Sequence, residues 1–170
     1  MVWGSAYDGT VVPESQEAYV EEVVLFLRAC TDRSPALLWP EHEPAVYDTT
    51  DRTSPASDRR LSAYLARSLT SALGVPVNET SGAPLDGPVP ARTLVVQTAG
   101  RTHWSVATAE EPERPLVLPL LTSEVLYLPR GSRTTVTATA GSRLISLSLD
   151  TPAHGRGLDR EPFRTARRPH

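Results

Sequence analysis

Few residues in this chain are of a type that does chemistry, and their spacing forms no familiar catalytic order. Cys30 is the only cysteine and has no accompanying His or Asn pattern, so a buried thiol is expected there rather than a nucleophile. His42 lies between Glu41 and Glu43, but no second histidine follows at ligand spacing, which favours an acidic solvated turn over a metal site. His103 stands alone in a strand-like run, and His154 and His170 fall in a basic C-terminal stretch. No Ser-His-Asp order or Cys-His pair is present, and spacing alone selects no acid–base pair. All 17 basic side chains are Arg. Without lysine, Schiff-base chemistry and covalent pyridoxal phosphate attachment are excluded, and any clamp on a carboxylate or phosphate has to use guanidinium groups.

The elements that position these residues follow from hydrophobic period. Tyr19, Val20, Val23, Val24, Leu27 and Cys30 recur at helical spacing and predict a helix over Pro13–Cys30. Leu61, Tyr64, Leu65, Leu69 and Leu73 predict a second over Ser57–Leu73, with Ser57 as N-cap and Gly74 as left-handed C-cap. Short strands are expected at Ala36–Trp39 and Val75–Val77, and loops over Glu41–Ala56 and Glu79–Pro90. From Ala91 the period becomes that of strands. Arg92–Thr98 and Thr102–Thr108 flank a hairpin-like turn at Ala99-Gly100-Arg101, and Leu116–Leu121 and Val125–Leu128 follow. Thr134–Thr139 and Arg143–Leu149 are then expected to pair across Ala140-Gly141-Ser142. Two helices followed by many short turn-linked strands predict an α+β, mainly β domain: a sandwich or barrel with a helical N-terminal layer. One domain over residues 1–150 and a flexible basic tail over 151–170 complete the expected organisation.

At 170 residues the chain is long enough for a sizeable core, and its formal net charge of −3 gives no footprint for nucleic acid. No apolar run approaches a membrane span, the first residues lack the pattern of a secretory leader, and the lone cysteine forms no internal disulfide. A cytoplasmic setting is expected.

Two stretches carry a family likeness. Leu94-Val95-Val96-Gln97 with Gly100-Arg101-Thr102-His103-Trp104-Ser105-Val106, and then Thr122-Ser123-Glu124-Val125-Leu126-Tyr127-Leu128-Pro129-Arg130-Gly131, resemble the bacterial JmjC-like cupins. That family includes ribosomal-protein hydroxylases and the asparaginyl hydroxylase acting on hypoxia-inducible factor. The likeness covers Leu61 to Asp150, including Gly74-Val75-Pro76-Val77, and leaves out the first helix. It implies a double-stranded β helix. Active members hold Fe(II) through a His-x-Asp pair and a later His, with open positions for 2-oxoglutarate and oxygen. The family spacing puts those ligands at Gly87, Val89 and Thr134, none of which is an iron ligand, and Asp86 would coordinate only in a reshaped loop. The family lysine for 2-oxoglutarate corresponds to Thr102. The resemblance therefore implies the scaffold without metal or cofactor.

In the family register, Thr93, Val95, Gln97, Thr102, Trp104, Thr134 and Val136 face inward, and strand alternation turns His103 away. These side chains either line a cavity for a neutral organic ligand or simply fill the barrel. The functions left open are a metal-free protein binding a small molecule or a biosynthetic partner, as in bacterial specialised metabolism, and a metal-independent cyclase or isomerase using Thr102, Thr134, Gln97 and Tyr127. An oxygenase with relocated ligands such as His42 and Asp48 is a distant third. The first helix would either cap the barrel or meet a second subunit in a homodimer.

Overall fold

The computed structural model describes residues 14–30, 32–44, 54–80 and 86–149. Pro13, Asp48, Asp150 and the 151–170 tail with His154 and His170 lie outside the described residues. Helix α1 spans Glu14–Ala29, and the short strand β1 spans Ala36–Leu38. Helix α2 spans Pro55–Leu73. Strands β2 (Asn78–Glu79), β3 (Gly87–Pro88), β4 (Thr93–Ala99) and β5 (Arg101–Ala107) follow. The last four are β6 (Leu116–Leu121), β7 (Val125–Leu128), β8 (Arg133–Ala138) and β9 (Arg143–Ser148).

Helix α2 begins earlier than Ser57. Pro55 occupies the first turn, where its missing N–H costs nothing and its fixed φ suits a helix. Ser54 is the cap, its hydroxyl accepting from Ala56 N at 3.2 Å. Gly74 ends the helix at φ 68°, its N–H bonded to Thr70 O, as the sequence predicts. The expected strand at Val75–Val77 is displaced to Asn78–Glu79, because Val77 N is taken by Thr70 Oγ1 at 3.0 Å.

One sheet runs β1-β7-β4-β9-β2 and the other β3-β8-β5-β6, with every pairing antiparallel. Strands β2 to β9 thus form two interleaved four-stranded sheets, the jelly-roll arrangement found in cupins, and β1 extends one edge. The fold is α+β and mainly β. Two expected hairpins are corrected. Strands β4 and β5 do not pair with each other, nor do β8 and β9; each turn carries the chain from one sheet to the other. Gly100 (φ 69°) and Gly141 (φ 79°) take the left-handed conformation that a hairpin would also need, so the local sequence is the same for either outcome. The two crossovers clasp: Ser142 Oγ donates to Arg101 O at 2.6 Å, and a Cβ on Gly100 would meet that Oγ at 2.8 Å.

Strand alternation divides the core in two. Leu94, Val96, Val125, Tyr127, Ile145 and Leu147 face the helices and pack with Tyr19, Val23, Leu61, Leu65 and Leu69. Each fully buried aliphatic side chain here is worth about 1.5–3 kcal/mol. Helix α1 therefore covers the outer face of the first sheet. The opposite faces supply the second core, between the sheets. Among the described residues, no helix is long and apolar enough to cross a membrane.

Candidate functional site

The inter-sheet space is where a jelly roll of this kind has room for a ligand, and sequence alternation points seven named residues into it. Val95, Trp104 and Val136 pack there with Val89, Val106, Leu118, Leu120, Leu126 and Leu128. Gln97, Thr102 and Trp104 are joined in one buried chain of hydrogen bonds. Trp104 Nε1 donates to Thr102 Oγ1 at 2.8 Å, and Thr102 Oγ1 donates to Gln97 Oε1 at 2.7 Å. Gln97 Nε2 ends the chain on Ala99 O at 2.6 Å. The indole donor, the hydroxyl and the amide thus satisfy one another inside an apolar surround, which leaves little for a ligand to bond. Thr93, also buried, spends its hydroxyl on Ala91 O at 2.9 Å.

The positions that the resemblance assigns to iron do come together. Gly87 on β3 is opposite Thr134 on β8, and Thr134 Oγ1 donates to Gly87 O at 3.2 Å. Val89 is buried two residues on, its N–H bonded to Ser132 O at 2.8 Å. This corner offers a glycine, an isopropyl group and one hydroxyl, and these do not fit Fe(II), which takes imidazole and carboxylate ligands. The backbone adds a second misfit: Gly87 has φ 108°, a conformation that a side-chain-bearing ligand would rarely adopt. Asp86 is nearby, but its Oδ1 accepts from Val136 N at 2.7 Å. Among the described residues, no group of three or more His, Cys, Asp or Glu is gathered to hold a metal ion.

The other named side chains lie elsewhere. His103 is exposed on the outer face while Thr102 is buried. His42 contacts Glu22 of α1, whose other carboxylate oxygen accepts from Glu41 N at 2.8 Å. Tyr127 faces the helices, not Thr102 or Gln97, and its hydroxyl donates to Asp32 Oδ1 at 3.2 Å. Burial, followed by the bond to Asp32 and its charge, pushes the phenol above its ordinary range, with Arg92 opposing. The four polar groups named for cyclase chemistry are therefore not gathered around one space.

A different cleft lies on the helical side. Leu27, Arg28 and Cys30 from the end of α1, Leu73 and Val75 from the end of α2, and Arg92, Tyr127 and Leu149 from the sheet enclose about 290 Å³. Burial pushes the Cys30 thiol up to about 11. A wider depression of about 650 Å³, bordered by Asp32, Arg92, Arg130 and Gly131, shares Arg92 with it. Arg92 Nη1 lies 3.8 Å from Asp32 Oδ1, and Arg28 Nη2 donates to Ala72 O at 3.3 Å. Sequence reasoning missed this cleft, since its lining comes from separate segments with no shared motif. The lack of lysine, which restricts anion clamps to arginine, was the one usable signal.

No protein-family model matches the chain. No curated protein matches it either. Solved structures do resemble it. Acireductone dioxygenase from Bacillus anthracis, with a cadmium ion in its active centre, aligns over 78% of this chain and 86% of its own, at 10% identity and a TM-score of 0.45. A ribosomal oxygenase from Escherichia coli, in complex with cobalt and 2-oxoglutarate, aligns over 72% of this chain and 49% of its own, at 13% identity and a TM-score of 0.44. Procruciferin, an 11S globulin from Brassica napus, aligns over 38% of this chain and 16% of its own, at 18% identity and a TM-score of 0.34. These are likenesses of fold alone.

Proposed function

We propose that this protein is a cupin-fold binding protein without Fe(II)/2-oxoglutarate oxygenase chemistry, which takes up a small organic molecule or a biosynthetic protein partner. The observation that carries this reading is the Gly87–Thr134 pair. Where the resemblance calls for two histidines and an aspartate, the facing strands present a positive-φ glycine, a threonine bonded to that glycine's carbonyl, and a buried valine. The closed Gln97–Thr102–Trp104 chain supports binding outside the barrel and argues against a cyclase or isomerase working within it. A cytoplasmic protein of bacterial specialised metabolism, single-domain and able to form a homodimer, belongs to the same proposal. Metal analysis of protein purified from iron-supplemented cells, together with an oxygen- and 2-oxoglutarate-consumption assay, tests it. Substoichiometric iron and no turnover above a protein-free control are expected. One iron per chain with 2-oxoglutarate turnover would overturn it.

A further inference from the structure

Asp58 Oδ1, Ser62 Oγ and Thr98 Oγ1 are buried and have no hydrogen-bond partner among the described residues. Their places in the fold converge. Asp58 and Ser62 lie four residues apart on α2 and so share one face of the helix. Ser62 is fully buried, and Asp58 reaches the sheet, its Oδ2 accepting from Arg143 Nε of β9 at 2.8 Å. On the neighbouring strand β4, Arg143 has Ala99 as its register partner, and the register shifts between Gln97 and Ala99. Thr98 sits in that irregularity, 3% exposed. Gln97 points between the sheets to Thr102, so Thr98 follows Leu94 and Val96 on the helix-facing side. The Asp58–Arg143 bond thus holds the first turns of α2 over the strand position that carries Thr98.

Burying such oxygens without a partner costs stability, and a helical serine commonly avoids the cost by bonding the carbonyl four residues earlier. Ser62 does not. It is also far smaller than Leu61, Leu65 and Leu69 on the same buried face, so it fills less of the interface beside Asp58. We propose that one internal water molecule is bound here, donating to Asp58 Oδ1 and Ser62 Oγ and accepting from Thr98 Oγ1. Three protein partners are usual for a buried water, and the donors and acceptors match: a carboxylate oxygen only accepts, while each hydroxyl turns to do either. A divalent cation fits less well, since Asp58 already pairs with a guanidinium and the two hydroxyls are neutral. The water adds a polar tie between α2 and β4 to the leucine packing of that layer. This site does not depend on what the protein binds.

Thr98→Val tests the proposal by the sign of its effect. A hydroxyl bonded to a water is lost at a cost, whereas a stranded hydroxyl replaced by a group of the same shape is neutral or gains stability. Urea unfolding of the full chain should show the Thr98→Val unfolding constant raised about three- to tenfold. Ser62→Ala completes a double-mutant cycle, in which the helix preference of alanine cancels. Because both substitutions remove partners of the same water, the double variant should change the unfolding constant by clearly less than the product of the single effects. A high-resolution crystal structure of the unaltered chain needs no variant, and should show one water within hydrogen-bond distance of all three oxygens. Unchanged or raised stability of Thr98→Val, single effects that simply multiply, or a map in which the three oxygens share no water would each overturn the site.

Discussion

Thr102 Oγ1 donates to Gln97 Oε1 at 2.7 Å across the Gly100 turn, and so ties together two consecutive strands that belong to different sheets. Thr102→Val removes the middle of the buried chain and leaves both Trp104 Nε1 and Gln97 Oε1 without a partner. Each stranded group costs about 1–3 kcal/mol, so urea denaturation should show a loss of about 2–6 kcal/mol. Thr93→Val removes only one hydroxyl bond, to Ala91 O, and should cost about 1 kcal/mol. Equal losses in the two variants would mean that the chain is not a unit.

Gly87 is held at φ 108°, yet a Cβ built there meets nothing within 4 Å among the described residues. Gly87→Ala is therefore a test of backbone conformation alone. It should destabilise by about 1–3 kcal/mol by thermal or urea unfolding, with no steric contribution to confuse the result. A neutral outcome would show that the β3 backbone adapts freely, and would remove one of the two reasons given against a metal ligand at this position.

Cys30 provides a pH readout. Burial raises its thiol from 9.0 to about 11, so at pH 8 the thiolate fraction, and with it the alkylation rate, should be about a hundredfold below that of an unperturbed thiol. The rate should climb tenfold per pH unit toward pH 11. The linkage has a definite sign: the folded state favours the neutral thiol, so this group's contribution is fully present below pH 9 and is lost as pH rises from about 9 to 11. Cys30→Ser should flatten that part of the stability–pH curve.

Glu124 closes an exposed strand edge. Strand β6 is the last of its sheet, and Pro119 presents no N–H to the open side. Leu121 N, on the same side as Pro119 by alternation, donates to Glu124 Oε2 at 2.7 Å. Glu124 Oε1 accepts from Trp39 Nε1, also at 2.7 Å, and Trp39 and Val117 are 67% and 70% exposed beside this edge. Glu124→Ala should lower stability by about 1–3 kcal/mol and increase concentration-dependent association in sedimentation velocity, because it frees an edge N–H next to apolar surface. Glu124→Gln, which keeps one acceptor oxygen, should fall between.

Much of the strand layout was legible in the sequence because side chains on a strand alternate. The placement of Val95, Gln97, Thr102 and Trp104 on the inter-sheet side, and of Leu94, Val96, Ile145 and Leu147 toward the helices, needs only period two and a family register. Sheet membership was not legible: Gly100 and Gly141 turn the chain equally well into a hairpin or into the opposite sheet, and long-range pairing makes the choice. Nor could spacing show that the inward-facing polar groups are mutually satisfied, since that depends on angles and distances among Gln97, Thr102 and Trp104. The helical-side cleft was the least legible. Leu27, Leu73, Arg92 and Tyr127 meet only after both helices have settled on the sheet.

The strand order also bears on how the domain is made. Strand β4 sits between β7 and β9, so Thr93 waits for Leu128 on one side and Ser148 on the other, and among the described residues β2 pairs with β9 alone. During synthesis the first half of the sheet emerges long before either partner exists. Closing this sheet therefore depends on long-range loop closure, whereas β5 and β6 of the other sheet pair as sequence neighbours. Until β9 arrives, the backbone N–H and C=O groups along one edge of β4 stay unpaired and can template other strands. For a chain of this order, the vulnerable period is the interval between translating β4 and translating β9, and a chaperone has its greatest effect there.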